Sequence, residues 1–210
     1  MSQPRRATTI LYLVLLLAAL QLLRTGLLQL LFLWVPHTYV ASDLAGMLLF
    51  FALSGVLVAL SRRRVPFRIL PARAGALELG AAALFALLLV SGPLLAGGYN
   101  TADLVQLVYG CIATPIFEEL LFRGLVWHAL SRVFKSGWVC YLVSTLLFGL
   151  WHLGYADNLA FRVHTGLADV LFWKVMVGLA FGLVLGAVRL WRKDCYFCML
   201  LHGALNVFGR

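Results

Sequence analysis

Six side chains in this sequence have the types and spacing to activate a water molecule. Glu118 and Glu119 are adjacent, and Arg123 follows Glu119 by four residues. His152 stands four residues after Phe148, and Asn206 four after His202. Residues four apart share a helix face, whereas neighbours point ~100° apart. Glu119 and Arg123, acid first, are therefore expected to pair, leaving Glu118 to face His152. A carboxylate and an imidazole on facing helices can hold one water and take its proton as general base. His202 and Asn206 can donate hydrogen bonds to the oxyanion of a tetrahedral intermediate.

The elements that must position these groups lie in a membrane. Glu118, Glu119 and Arg123 sit inside an apolar run from Leu104 to Leu130. Each charge at a membrane helix centre costs roughly 2.5–3.5 kcal/mol, so three approach ~9 kcal/mol before pairing. Such groups are expected to face a polar interior and to mark a functional site. The 210 residues are 63% hydrophobic and 12% charged, against about 25% charged in soluble domains. A polytopic, all-α membrane helix bundle follows, read as a single transmembrane domain over 1–210. The net charge of +9 falls mainly in short breaks between apolar runs, where it meets headgroups and fixes topology. No basic face interleaved with stacking aromatics is present, which argues against a nucleic-acid partner.

Seven spans are expected. Residues 1–9 form a basic tail with Arg5 and Arg6, and no small-residue cleavage site follows. Ile10 to Val35 is read as a retained first span, with Gln21, Arg24 and Gln29 on a protein-facing stripe. Arg24 is read as a structural ion pair or a snorkelling arginine. Pro36 breaks the chain, and Val40 to Leu60, Ala74 to Ala96, Leu104 to Leu130 and Trp138 to Leu153 follow. A basic break spans Ser61 to Arg73, a turn covers 97–100, and a longer polar loop is expected from Gly154 to Gly166. Leu167 to Leu190 and Cys195 to Phe208 complete the set. Gly178, Gly182 and Gly186 make a small-residue stripe, read as packing. The basic breaks alternate, which predicts a cytoplasmic N-terminus and places the chain in the cell membrane. No break exceeds about fourteen residues, too short for a folded soluble domain. Counted at ~1.5 Å per residue, Glu118, His152, His202 and Asn206 lie ~12–22 Å from the cytoplasmic ends, within one ~30 Å core. Pro115 removes a helical donor near Glu118, and a kink there could admit water.

Each residue alone has a plainer account. A lone histidine in a membrane usually packs and hydrogen-bonds, the reading given to His128, His37 and His164. Asn206 alone could join two helices, and Glu119 with Arg123 could be a structural pair. The conjunction of two acids, two histidines and an amide at compatible depth favours chemistry. Two histidines and a glutamate (His152, His202, Glu118) also suit zinc, but no His-Glu-x-x-His helix is present, and spacing does not choose between metal and water. The amide one turn after His202 suits a hydrogen-bond donor pair, so no cofactor is expected. Cys195 and Cys198, without a second pair, are read as ordinary membrane cysteines.

Glu118-Glu119-x-x-x-Arg123, Phe148-x-x-x-His152 and His202-x-x-x-Asn206, in that order, resemble the CPBP family of CAAX proteases and bacteriocin-processing enzymes. The motif-bearing core is 104–208, about half the chain. The resemblance implies an intramembrane endopeptidase with a metal-free glutamate mechanism. Glu118 and His152 would activate water, Glu119 and Arg123 would support them, and His202 with Asn206 would form the oxyanion hole. The substrate would be a membrane-embedded or membrane-anchored protein or peptide, cleaved for example at a C-terminal sorting or anchor signal. The small size suggests a prokaryotic member, for which a prenylated substrate is less expected. Two other readings compete. A non-catalytic immunity protein would sequester a peptide such as a bacteriocin, and a proton-coupled transporter would use Glu118 and His152 as a relay. The completeness of the catalytic set opposes the first, and the lack of paired broken helices the second.

Overall fold

A computed structural model describes residues 3–95 and 100–208. Among them the chain is helical and carries no strand. The helices are α1 (Gln3–Leu31), α2 (Tyr39–Arg63), α3 (Ala76–Leu95), α4 (Thr101–Val133) and α5 (Gly137–Trp151). A 3-10 turn (His152–Tyr155), α6 (Ala156–Arg162), α7 (Leu167–Arg192) and α8 (Tyr196–Phe208) follow. Five described helices are long and apolar enough to cross a membrane: α1, α2, α4, α5 continued through α6, and α7. Two shorter apolar helices lie within α3 and at α8. The chain is a multi-pass membrane protein.

Local chemistry sets the boundaries. Thr38 caps α2 by accepting from Ala41 N at 3.2 Å, and Asn100 caps α4 by accepting from Asp103 N at 2.8 Å, each satisfying a donor the first turn leaves open. The rest of the turn expected at 97–100 lies outside the described residues. Gly166 enters α7 at φ +67°, a conformation that costs a residue without a Cβ least. Two expectations are corrected. The basic tail, from Gln3 onward, is the first part of α1, which runs through Gln21, Arg24 and Gln29 unbroken. The polar loop expected at Gly154–Gly166 is helical as far as Arg162. There Arg162 Nε donates to Asn158 Oδ1 at 2.8 Å, an i,i+4 pair that a count of polar residues does not register.

The chain forms two compact units, one of residues 1–36 and 126–190, the other of 37–125 and 191–210. In the first, the glycine stripe of α7 receives α5. A Cβ at Gly186, Gly182 or Gly178 would lie within 3 Å of Tyr141, Thr145 or His152 respectively. Thr145 Oγ1 also donates to Gly182 O at 3.0 Å, which close backbone approach permits. In the second unit, α2 braces the glutamate helix. Phe50 stacks on Phe117 with ring centroids 4.6 Å apart, and the Tyr109 ring lies over Gly46. The start of α8 is held to α3, where Arg192 pairs with Glu78 and Tyr196 Oη donates to Glu78 O at 2.8 Å.

Candidate active site

The glutamates ride on an irregular helix. Two π-helical stretches, Tyr109–Ala113 and Leu120–Val126, flank the α-helical Thr114–Glu119 segment of α4. Such stretches widen a helix and recur at functional sites. Pro115 shapes the first of them. Thr114 N donates to Tyr109 O, five residues back. In that register the next carbonyl, Gly110 O, would accept from residue 115, and proline has no N–H. Asn206 of α8 supplies the donor instead, with Nδ2 at 2.7 Å from Gly110 O. Gly203, one turn earlier on α8, permits this approach, since a Cβ there would stand 2.4 Å from Cys111 O.

The same face of α8 brings His202 to the acid pair. Glu118, Glu119, Arg123 and His202 are each at most 2% exposed. Arg123 Nη1 donates to Glu119 Oε1 at 3.0 Å, and His202 Nδ1 donates to the same oxygen at 2.9 Å. Glu119 is thereby committed to two cationic or donor groups. Its second oxygen, Oε2, is buried with no hydrogen-bond partner. His202 Nε2 lies 3.9 Å from Glu118 Oε2, beyond hydrogen-bond length. Glu119 is clamped, and Glu118 Oε2 faces the far nitrogen of the histidine that clamps it.

His152 belongs to the other unit. It begins the 3-10 turn that ends α5, and its ring meets Phe148 edge to face, centroids 5.0 Å apart. His152 Nδ1 is 2.8 Å from Phe148 O. A carbonyl only accepts, so Nδ1 carries a proton. The four-residue spacing of Phe148 and His152 thus sets the tautomer through the backbone.

One N–H of the Asn206 amide is engaged by Gly110 O, a contact the sequence did not disclose. Nor did the sequence disclose Glu78, which holds the end of α7 through Arg192 and the start of α8 through Tyr196. Its place in the first turn of an otherwise apolar helix was the available signal. Among the described residues no group of three or more His, Cys, Asp or Glu side chains is arranged to hold a metal ion.

Comparison with known proteins adds one finding. The model of the family described as type II CAAX prenyl endopeptidase Rce1-like matches residues 100–208. That interval holds all six residues singled out above and leaves α1 to α3 outside. No curated protein and no solved structure matches the chain.

Proposed function

The chain belongs to the Rce1-like family of type II CAAX prenyl endopeptidases, a family of proteases, and from that premise we propose that it is an intramembrane endopeptidase using a glutamate-activated water. The observation that carries the reading is the pair of buried acids gathered round one histidine. Glu119 is held by Arg123 and His202, and Glu118 is presented beside His202 Nε2.

In the proposed reaction Glu118 takes a proton from water as the oxygen attacks the scissile carbonyl. The C–O bond forms and the carbonyl electrons move onto oxygen. The tetrahedral intermediate collapses with cleavage of the C–N bond, and Glu118 returns the proton to the leaving amine. His202 Nδ1–H is used on Glu119, so Nε2 donates to the oxyanion only when the ring carries both protons. In that form two positive groups, Arg123 and His202, balance two carboxylates. Proton uptake by Glu118 then leaves one net positive charge where the oxyanion develops, the preorganisation that lowers such barriers most. The remaining Asn206 N–H is the second donor. For His152, the Phe148-x-x-x-His152 motif supports a part in water activation.

The substrate is a protein or peptide embedded in or anchored to the membrane, and the distribution of basic residues favours a cytoplasmic N-terminus in the cell membrane. Comparing protein termini in membranes with and without the chain tests the reading. A terminus created only by the active chain is the expected result. A peptide that is bound and never cut would favour the sequestering role instead.

A further inference from the structure

Arg24 lies outside the stretch that the family model matches, deep in an apolar span, and is 2% exposed. Besides Thr25 Oγ1, 3.2 Å from its Nη2, its partners lead to the turn that carries His152 and to the start of α6. Its Nη2 donates to Gly154 O at 2.6 Å and to Asp157 Oδ1 at 2.5 Å. Its Nε donates to Gln21 Oε1 at 2.9 Å, and Gln21 Nε2 in turn donates to Trp151 O at 3.0 Å. The carbonyls on either side of His152, one residue before it and two after, are thus both gripped by side chains of α1. The guanidinium also lies 5.0 Å from the centre of the Tyr155 ring. Tyr155 in turn accepts from Trp151 Nε1 at 3.2 Å. Gly154 is required for this approach, since a Cβ there would meet Gln21 at 2.2 Å.

We propose that Arg24, acting with Gln21, is a positioning residue for His152, fixing the 3-10 turn so that Nδ1 stays on Phe148 O and the ring keeps the orientation its part in catalysis needs. The proposal rests on the protease reading for its catalytic consequence and on the geometry of one unit for the rest. A guanidinium suits the task because it is a planar fork that serves several acceptors at once, whereas an ammonium is a point charge. If Arg24 only neutralised Asp157, lysine would replace it without loss. If it positions the turn, lysine keeps the charge and loses the grip.

Arg24→Lys is therefore the diagnostic variant, with Gln21→Ala as a second that leaves the ion pair in place. In lipid nanodiscs both are expected to fold and melt close to wild type. On a substrate found by terminus comparison, kcat should fall about 10- to 100-fold with KM unchanged, the usual effect of a misplaced catalytic group. The ring ¹⁵N shifts of His152 should report the Nδ1–H tautomer in wild type and a mixture in Arg24→Lys. A kcat within twofold of wild type in both variants, or an unchanged tautomer signature, overturns the proposal. Should the wild-type chain cleave nothing, the protease reading fails, and the ¹⁵N signature alone decides whether Arg24 holds His152.

Discussion

Asn206 Nδ2 donates to Gly110 O at 2.7 Å, and Pro115 is the reason that carbonyl is open to it. One proline and one asparagine, on separate helices, together set how α8 meets the glutamate helix. Asn206→Ala is expected to cost about 1 kcal/mol of stability, from the loss of a hydrogen bond to a half-buried carbonyl. It should also lower kcat by ~10²–10³-fold, from a lost oxyanion donor. The stability cost should shrink in a Pro115→Ala background, where residue 115 regains an N–H. A double-mutant cycle on thermal or denaturant unfolding should give a coupling of about 1 kcal/mol. Strict additivity would separate the two residues.

Arg123 shares Glu119 Oε1 with His202, so its removal unbalances a buried cluster. Arg123→Leu is expected to destabilise the protein by about 3–5 kcal/mol, the cost of leaving a buried charge without its partner. Activity should fall with the melting temperature in detergent. An inactive variant that melts like wild type would instead put Arg123 in contact with substrate.

Gly178 separates packing from chemistry within one stripe. A Cβ there would lie 2.6 Å from His152 Nδ1, so Gly178→Ala must displace the imidazole. At Gly182 the obstacle is Thr145, including its backbone at 3.3 Å. Gly182→Ala should cost about 1–3 kcal/mol by overpacking, while Gly178→Ala should lose kcat out of proportion to its stability. Equal effects on unfolding and turnover at both sites would reduce the whole stripe to packing.

Purified, active protein is expected to contain well under one zinc per chain, and chelation should leave turnover intact. Elemental analysis alongside the assay decides this. Stoichiometric zinc, with activity lost on chelation and restored by the metal, would replace the proposed mechanism within the same family.

Much of this architecture was legible in the sequence because its signals are local. Apolar runs broken by prolines, glycines and arginines gave the apolar helices, and the i,i+4 spacing gave the Glu119–Arg123 pair. What escaped depends on contacts between distant stretches. No local pattern says that a proline at 115 will be answered by an asparagine 91 positions later, or that Arg24 will reach Asp157. The π-helical turns around Glu118 were equally hidden, since Pro115 signals a departure from regular helix and not its form. The stripe at Gly178 was read as packing because spacing reveals that a neighbour approaches closely, and not which side chain it brings.

The central claim is that Glu118 is the base that activates water. Its most direct test is the turnover of Glu118→Gln, reconstituted in liposomes with a membrane-anchored substrate and checked for an unchanged melting temperature. The amide keeps the shape and cannot take the proton, so kcat should fall by at least ~10²-fold, within the range of general-base contributions. Retention of more than about a tenth of wild-type turnover by the folded variant would contradict the account.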